Sequence, residues 1–260
     1  MKPFAKLKLL MLFSLMGALY LIHEKWYMAE GLHLEIEGLV KEPNYRDLGS
    51  SVNGCLETIG KKPVFLENGL HRSNKWFSGW SCDKVGNPDK IYTLNYEPDK
   101  NFSYYCNKAD GTKVIGEIFS KKKEIKDIEF LSSWQDDVLR DVVCSTIDSI
   151  FDDVINGQSA LFHCEAGRDR TGAVATLFTA MVMEHAELSP STIDQVVECD
   201  YRKSQSIGEN KFGRMMRFIK QIRESQVVSN EYPVSSWISK TCGFDNRKKL
   251  NAISKLRLAL

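Results

Sequence analysis

The sequence has almost no excess of charge of either sign, because 35 lysines and arginines are balanced by 34 aspartates and glutamates, for a formal net charge of +1. A dedicated nucleic-acid binder usually concentrates a basic excess on one face, so no nucleic-acid partner is expected. Internal repeats and low-complexity blocks are also absent. With 43% hydrophobic and 27% charged residues, the 260-residue chain is expected to form one globular domain with extensions.

No two cysteines are spaced as CxxC, and no cysteine and histidine have the spacing that binds zinc, so neither a metal nor another cofactor is expected. Seven cysteines are present, and in an exported protein an odd number leaves one unpaired. We expect Cys164 to be that one. The others can form up to three disulfide bonds, with the pairing left open; they are Cys55, Cys82, Cys106, Cys144, Cys199 and Cys242.

Charged residues are missing from Leu9 to Ile22, a run that is apolar apart from one serine, one glycine and one tyrosine. Three lysines precede the run and polar residues end it, which is typical of a signal sequence. As a helix it would rise only about 21 Å, against a hydrocarbon core of roughly 30 Å. Residues 1–25 are therefore predicted to be the signal peptide of a periplasmic or secreted protein. Because no small-x-small cleavage site follows, an uncleaved anchor that holds the protein at the membrane is the alternative.

Residues 33–225 are predicted to form the main domain, and residues 226–260 a less regular C-terminal extension that ends in a basic stretch. In the first half of the domain, alternating apolar residues and turn residues predict short elements. They are an edge strand at His33–Val40, a turn-rich segment at Asn44–Gly49, a strand at Val64–Leu66 with a turn at His71–Ser73, a sheet strand at Ile91–Tyr96, and a surface insertion or hairpin at 100–126.

In the second half, apolar residues recur with helical spacing from Asp136 to about Asn156. A short apolar run at Ser159–Phe162 then predicts a buried parallel strand. After a loop, Gly172–Met183 is an almost wholly apolar helix, and Met215–Ile222 continues a helical pattern. Helix, strand, loop and helix in succession predict an α/β fold with a central, mostly parallel twisted sheet flanked by helices.

The loop between this strand and helix reads HCEAGRDRTG, from His163 to Gly172. At the N-terminus of a helix, backbone N–H groups and the helix dipole favour an anion such as phosphate. The same donors would stabilise a negatively charged sulfur, so Cys164 is predicted to be a nucleophile. The residues predicted to bind phosphate are Glu165, Ala166, Gly167, Arg168, Asp169 and Arg170.

Three side chains of the loop have further predicted roles. Arg170 can return over the loop and hold two phosphate oxygens with its planar guanidinium. Thr171 can donate a hydrogen bond to the sulfur and help it to leave, and His163 is expected to organise the loop by hydrogen bonding. Positioned N–H groups with one arginine suit the charge that develops on the equatorial oxygens during phosphoryl transfer.

Cys164 to Thr171 follows the pattern Cys-x5-Arg-(Ser/Thr) and resembles the protein tyrosine phosphatase superfamily, in particular a bacterial branch whose loop reads His-Cys-x-x-Gly-Lys-Asp-Arg-Thr-Gly. Asn44–Gly49 and His71–Ser73 resemble two more motifs of that branch, and Asp200–Tyr201 resembles its Asp-Tyr after the loop. In the first motif, the polar side chains either brace the sheet or contact substrate. The resemblance implies a cysteine-dependent phosphatase fold and hydrolysis of phosphate monoesters through a phosphocysteine, without a metal.

Such an enzyme needs a general acid that protonates the leaving oxygen. Asp169 is favoured, because the loop aspartate at this position is regarded as the acid in myotubularins and in the bacterial branch. Asp136 is the alternative, since Trp134–Asp136 is similar to the Trp-Pro-Asp loop of tyrosine phosphatases; it can instead start the following helix. Asp137 and Asp127 are further candidates.

Arg168 adds a second guanidinium at the rim of the loop, where its charge would favour multiply phosphorylated or lipid substrates. It can also be a solvated arginine paired with Glu165. The expected substrates are phosphotyrosine proteins, with phosphoserine and phosphothreonine as extensions, and phosphoinositides or inositol phosphates are the alternative. A catalytically inactive phosphate-binding module and a thiol-redox protein are the rival interpretations.

Overall fold

The computed structural model describes residues 44–98, 103–121, 123–205, 207–225 and 231–258. The predicted signal segment at 1–25 and the predicted strand at His33–Val40 lie outside these ranges. Inside them, none of the helices combines the length and the apolar character that crossing a membrane requires.

Six strands of the described chain form one sheet. They are β1 (Arg46–Asp47), β2 (Leu70–Asn74), β3 (Lys90–Thr93), β4 (Tyr105–Asn107), β5 (Lys113–Ile118) and β6 (Ala160–Cys164), in the order β1-β2-β6-β3-β5-β4. The four central strands run parallel, while β1 and β4 pair antiparallel with their neighbours at the two edges. All five residues of β6 are buried, as in a strand covered on both faces. The prediction of a central, mostly parallel sheet is confirmed.

Seven α-helices of the described ranges flank this sheet. They are α1 (Leu48–Thr58), α2 (Asp137–Ile155), α3 (Asp169–His185), α4 (Pro190–Arg202), α5 (Arg214–Glu224), α6 (Pro233–Cys242) and α7 (Asn246–Leu256). The helices predicted before and after β6, here α2 and α3, are confirmed, as is the helical pattern that became α5. Helix α3 is buried on every side from Thr171 to Glu184, so it is the core helix and fixes the loop that precedes it.

The prediction of a turn-rich segment at Asn44–Gly49 is wrong, because β1 and the first residues of α1 lie there. The Asp47 carboxylate accepts a hydrogen bond from the Ser50 N–H at 2.6 Å, and this N-cap starts the helix directly after the strand. The polar residues that were interpreted as turn formers therefore lie in a short edge strand and in the cap of a helix.

Two further predictions in this region are also wrong. Val64–Leu66 forms no strand but only an isolated bridge, from Phe65 to Arg257. The predicted turn at His71–Ser73 lies in β2, where all three side chains are buried. Such polar residues are stable inside a sheet only when partners satisfy them, and those partners are far away in the sequence.

The hairpin predicted within 100–126 is confirmed, since β4 and β5 pair antiparallel. It is more than a surface insertion, because β5 also pairs with β3 and so extends the central sheet. The prediction that residues 226–260 are less regular is wrong: α6 and α7 occupy most of them. Both helices pack into the main core through residues that share full burial, namely Val234, Trp237, Ile238, Ala252, Ile253 and Leu256.

Three disulfide bonds join Cys55 to Cys199, Cys82 to Cys106, and Cys144 to Cys242. The first links α1 to α4 and the third links α2 to α6. Cys164 is the free cysteine, as predicted, and it is buried. One thiol is therefore free, while the other six cysteines form disulfide bonds that cross-link the domain.

Candidate active site

The loop that was predicted to bind phosphate lies at the carboxyl end of β6, between the parallel strands β2 and β3. Cys164 is the last residue of β6 and only 2% exposed. Asp169 is the first residue of α3, so the backbone N–H groups before it lie at a helix N-terminus. Ligands of α/β sheets bind at the carboxyl ends of the strands. The structure thus places the candidate nucleophile where an anion is favoured.

Gly167 lets the loop pass directly against the backbone of β2. Its φ is +65°, and a Cβ atom there would lie 2.7 Å from the carbonyl carbon and oxygen of Ser73. Only glycine accepts both the left-handed conformation and this approach. The Asn44 side-chain amide donates to the carbonyls of Ala166, at 3.1 Å, and of Gly167, at 3.3 Å. These contacts hold two carbonyls of the loop in place.

A buried network of charged side chains around Asp200 contacts the loop. Arg72 is fully buried and donates from Nη1 to the Asp200 carboxylate and from Nη2 to the Gly167 carbonyl at 3.1 Å. Arg46 Nε donates to the same carboxylate at 2.9 Å, and Ser51 adds a hydroxyl at 2.7 Å. Burial lowers the pKa of Arg72 to about 10, which still leaves it charged at neutral pH. The polar side chains of the Asn44–Gly49 motif could either brace the sheet or contact substrate. The contacts of Arg46 in this network are of the bracing kind.

His163 lies in β6 directly before the nucleophile and is fully buried. Its ring contacts the edges of Phe77 and Tyr104, and its Nε2 is 2.8 Å from the Thr93 hydroxyl. Burial lowers the pKa of His163 to about 3, so the ring is neutral at physiological pH. With Nε2 accepting from Thr93, Nδ1 carries the hydrogen and donates to the Cys164 carbonyl at 3.3 Å. The ring thus holds the backbone at Cys164 through a hydrogen bond, and its role in the loop stays a prediction.

Arg170, in the first turn of α3, reaches back to the sheet and donates from Nη1 to the Leu94 carbonyl at 3.1 Å, just after β3. The Thr171 hydroxyl is buried and has no hydrogen-bond partner among the described residues. At the rim of the loop, the Glu165 carboxylate pairs with Lys75 at 2.6 Å. A guanidinium and a hydroxyl therefore lie in the first turn of the helix that follows the nucleophile loop.

Asp169 is held by three donors from later helices and turns. Its Oδ1 accepts from the Tyr201 hydroxyl at 2.5 Å and from Arg214 at 3.3 Å, and its Oδ2 accepts from Lys211 at 2.6 Å. Burial opposes ionisation of Asp169, but the hydrogen bonds from Lys211 and Tyr201 outweigh it and hold its pKa below the usual value. The nucleophile loop therefore ends in an ionised carboxylate, five residues after Cys164.

Asp136 has a structural role in the described contacts. Its carboxylate caps α2 by accepting the Leu139 N–H at 3.1 Å and also binds Lys123. The bond from Lys123 is the main reason why the pKa of Asp136 is lowered. Asp137, beside it, is exposed and pairs with Arg140 at 2.7 Å. Asp127 precedes the same helix, in a left-handed turn with φ +56°.

Glu129 belongs to the site although the sequence analysis did not identify it. Its side chain is buried and pairs at 2.7 Å with Arg214, the arginine that also contacts Asp169. Lys211 and Arg214 were missed as well, because they follow the loop by about forty residues without a recognisable motif. The one available signal was an additional carboxylate upstream of the nucleophile, between Asp127 and Asp136.

Comparison with known families gives one finding: residues 107–253 match a family model described as "Tyrosine phosphatase family". The matched range covers most of the sheet hairpin, the nucleophile loop and α2 to α6 completely, and it reaches into α7. A search of curated proteins found no match to the chain.

Proposed function

The chain belongs to the tyrosine phosphatase family, and from this premise we propose that it hydrolyses phosphate monoesters through a phosphocysteine formed on Cys164. The observation that carries the proposal is the one free thiol of seven cysteines, buried at the end of β6 where α3 presents its N-terminus. The proposed substrates are phosphotyrosine proteins, with phosphoserine and phosphothreonine proteins as extensions.

In the first step, the Cys164 sulfur attacks phosphorus, and the bond from phosphorus to the leaving oxygen breaks. Loop N–H groups and Arg170 hold the three equatorial oxygens, on which the negative charge is greatest. The leaving oxygen takes a proton from Asp169. In the second step, water attacks the phosphocysteine, its proton passes to the Asp169 carboxylate, and the sulfur leaves with the electron pair of the broken S–P bond.

The charge state of Asp169 suits this cycle. The ionised form, which Lys211 and Tyr201 favour, is the form that can accept a proton from water in the second step. When a phosphate dianion is bound in the loop, its negative charge raises the pKa of Asp169, so the carboxyl can hold the proton that the first step uses. Asp136 is occupied instead as a helix cap bonded to Lys123, which supports Asp169 as the acid.

We expect Asp169→Asn to reduce kcat by about 100-fold or more, because a positioned acid contributes roughly 10² to 10⁴. Asp136→Asn should keep kcat within about threefold and leave the free energy of unfolding nearly unchanged, because asparagine caps a helix about as well as aspartate does. Steady-state kinetics and urea unfolding of both variants measure this. If Asp136→Asn loses more rate than Asp169→Asn, the acid is Asp136.

The substrate is tested by measuring phosphate release from three panels: phosphotyrosine peptides, phosphoinositides and inositol phosphates. We expect the highest kcat/KM for phosphotyrosine peptides. The alternative, a phosphoinositide or inositol phosphate, is supported by the cations Lys75, Lys211 and Arg214, which contact carboxylates of the loop. Higher kcat/KM on these substrates would establish it. Binding of vanadate with no turnover on any panel would identify an inactive phosphate-binding module.

Export is the proposed location, and the three disulfide bonds support it, since such bonds persist in oxidising compartments. Whether residues 1–25 are removed or hold the protein at a membrane stays a prediction from the sequence.

A further inference from the structure

A second carboxyl group is connected to the nucleophile loop through one guanidinium. Arg214 Nη1 donates to Glu129 Oε1 at 2.7 Å and is 3.3 Å from Asp169 Oδ1. The Glu129 side chain is 2% exposed, and its other oxygen, Oε2, is buried with no hydrogen-bond partner in the described structure. A buried carboxylate oxygen without a donor is costly, so this geometry favours a protonated or shared state.

The charged and polar groups that surround Glu129 and Asp169 come from four different elements. Arg214 lies at the start of α5, Asp169 at the start of α3, and Tyr201 on α4, while Lys211 lies in the 3₁₀ turn before α5. Asp169 also binds Lys211 and the Tyr201 hydroxyl, whereas Glu129 shares Arg214 with it and otherwise accepts from its own backbone N–H. The two carboxyl groups are therefore unequal competitors for one cation.

The pKa values of the two groups are shifted in opposite directions. Burial raises the pKa of Glu129, and the charge of Asp169 raises it further, while the hydrogen bond from its own backbone N–H and the Arg214 guanidinium oppose the rise. The pKa of Asp169 is lowered, because Lys211 and Tyr201 outweigh its burial. Pairs of carboxyl groups whose environments separate their pKa values divide acid and base roles between them.

We propose that Glu129 is a positioning residue that competes with Asp169 for the Arg214 guanidinium and so sets the pH range in which Asp169 carries the catalytic proton. The inference rests on the proposed function, in which Asp169 is the acid. When Glu129 is ionised, its charge disfavours a second charge on Asp169 and draws Arg214 to itself, so Asp169 keeps its proton to higher pH. When Glu129 is neutral, Arg214 stabilises ionised Asp169.

The kinetic test compares wild type with Glu129→Gln, which keeps an acceptor for Arg214 but never ionises. The alkaline limb of the kcat profile reports loss of the acid's proton in the substrate complex. We expect that limb to move to lower pH by about one unit, which corresponds to one screened charge at this range. The maximal kcat should stay within about tenfold of wild type.

Glu184→Gln is the matched control, because Glu184 is also a buried glutamate whose pKa is raised by burial, but it binds the backbone of α6. Its kcat profile should keep the wild-type alkaline limb. If Glu129→Gln lowers kcat equally at every pH, or changes nothing, Glu129 has only a structural role and the proposal is wrong.

A second readout needs no turnover. Carbon-13 NMR of the glutamate carboxyl groups in the Cys164→Ser protein gives the titration midpoint of Glu129, assigned by its disappearance in Glu129→Gln. Since coupling between two titrating groups is reciprocal, Asp169→Asn should lower the Glu129 midpoint by about one pH unit. A midpoint that does not move would overturn the coupling even in an active enzyme. A shifted midpoint, found together with a wild-type protein that releases no phosphate, would refute the proposed function but leave the coupling of Glu129 and Asp169 established.

Discussion

Cys164→Ser is expected to release phosphate at least about 10⁴-fold more slowly than wild type, because a serine hydroxyl in the same place is a much weaker nucleophile than a cysteine sulfur. Loss of a covalent nucleophile is among the largest single-residue effects on kcat known for enzymes. The substitution changes one buried atom, so the loop and α3 should keep their geometry. Phosphate release from phosphotyrosine peptides at saturating substrate measures the loss.

The loss of rate can be assigned to the chemical step only if the Cys164→Ser protein still binds substrate. The variant should bind a phosphotyrosine peptide with a Kd within about tenfold of wild type, since the Arg170 side chain and the loop N–H groups are unchanged. The double variant Cys144→Ser/Cys242→Ser is the control, because it removes two other cysteines and the bond between α2 and α6. It should lower stability by about 2–5 kcal/mol but keep its turnover. Full activity of Cys164→Ser would refute the phosphocysteine mechanism.

The parts of the site that the sequence predicted are those that local chemistry determines. The loop from His163 to Thr171 lies between an apolar strand and an apolar helix, so its place in the fold follows from its neighbours in the chain, although many of its contacts come from distant residues. In the same way α2 was predictable from helical periodicity and β6 from a short apolar run. Parity of the cysteine count was enough to predict one free thiol, although the three pairings depend on the fold.

The parts that were not predictable depend on contacts between distant residues. Arg72 is buried in a strand because Asp200 comes to it across 128 positions, so a local pattern of polar residues indicated a turn instead. Glu129 joins the site only because Arg214 returns to it from α5, 85 residues later. The last two helices were missed because each has a short apolar stripe that packs on α2 and α3 rather than a long periodic run.

The same long-range network leads to a second large effect, on stability. Asp200 is 3% exposed and carries the charges of both Arg46 and Arg72, with Ser51 as a further donor. We expect Asp200→Asn to lower the free energy of unfolding by about 3–5 kcal/mol, because the fully buried Arg72 and the partly buried Arg46 lose their counter-charge. Urea unfolding at pH 7 measures the loss.

Asp194→Asn is the matched control, because Asp194 lies on α4 as Asp200 does. Asp194 also pairs with an arginine, Arg223, but both side chains reach solvent. Asp194→Asn should therefore cost less, about 1 kcal/mol, because solvent partly screens this pair. Equal losses for the two variants would mean that Asp200 is no more than an ordinary surface charge.

The pH dependence of stability separates this charge network from simple packing. Burial opposes the ionisation of Asp200, yet the charges of Arg46 and Arg72 outweigh it and hold the pKa of Asp200 well below its usual value. In the unfolded chain the same carboxyl takes up a proton near pH 4, whereas in the folded protein it stays ionised. Its contribution is thus complete above that pH and decreases as the pH falls toward the folded pKa. Urea unfolding from pH 7 to pH 3 should therefore show a smaller loss of stability for Asp200→Asn than for wild type. Parallel curves would mean that Arg72 is held by packing alone, and that the loop above it does not depend on this charge.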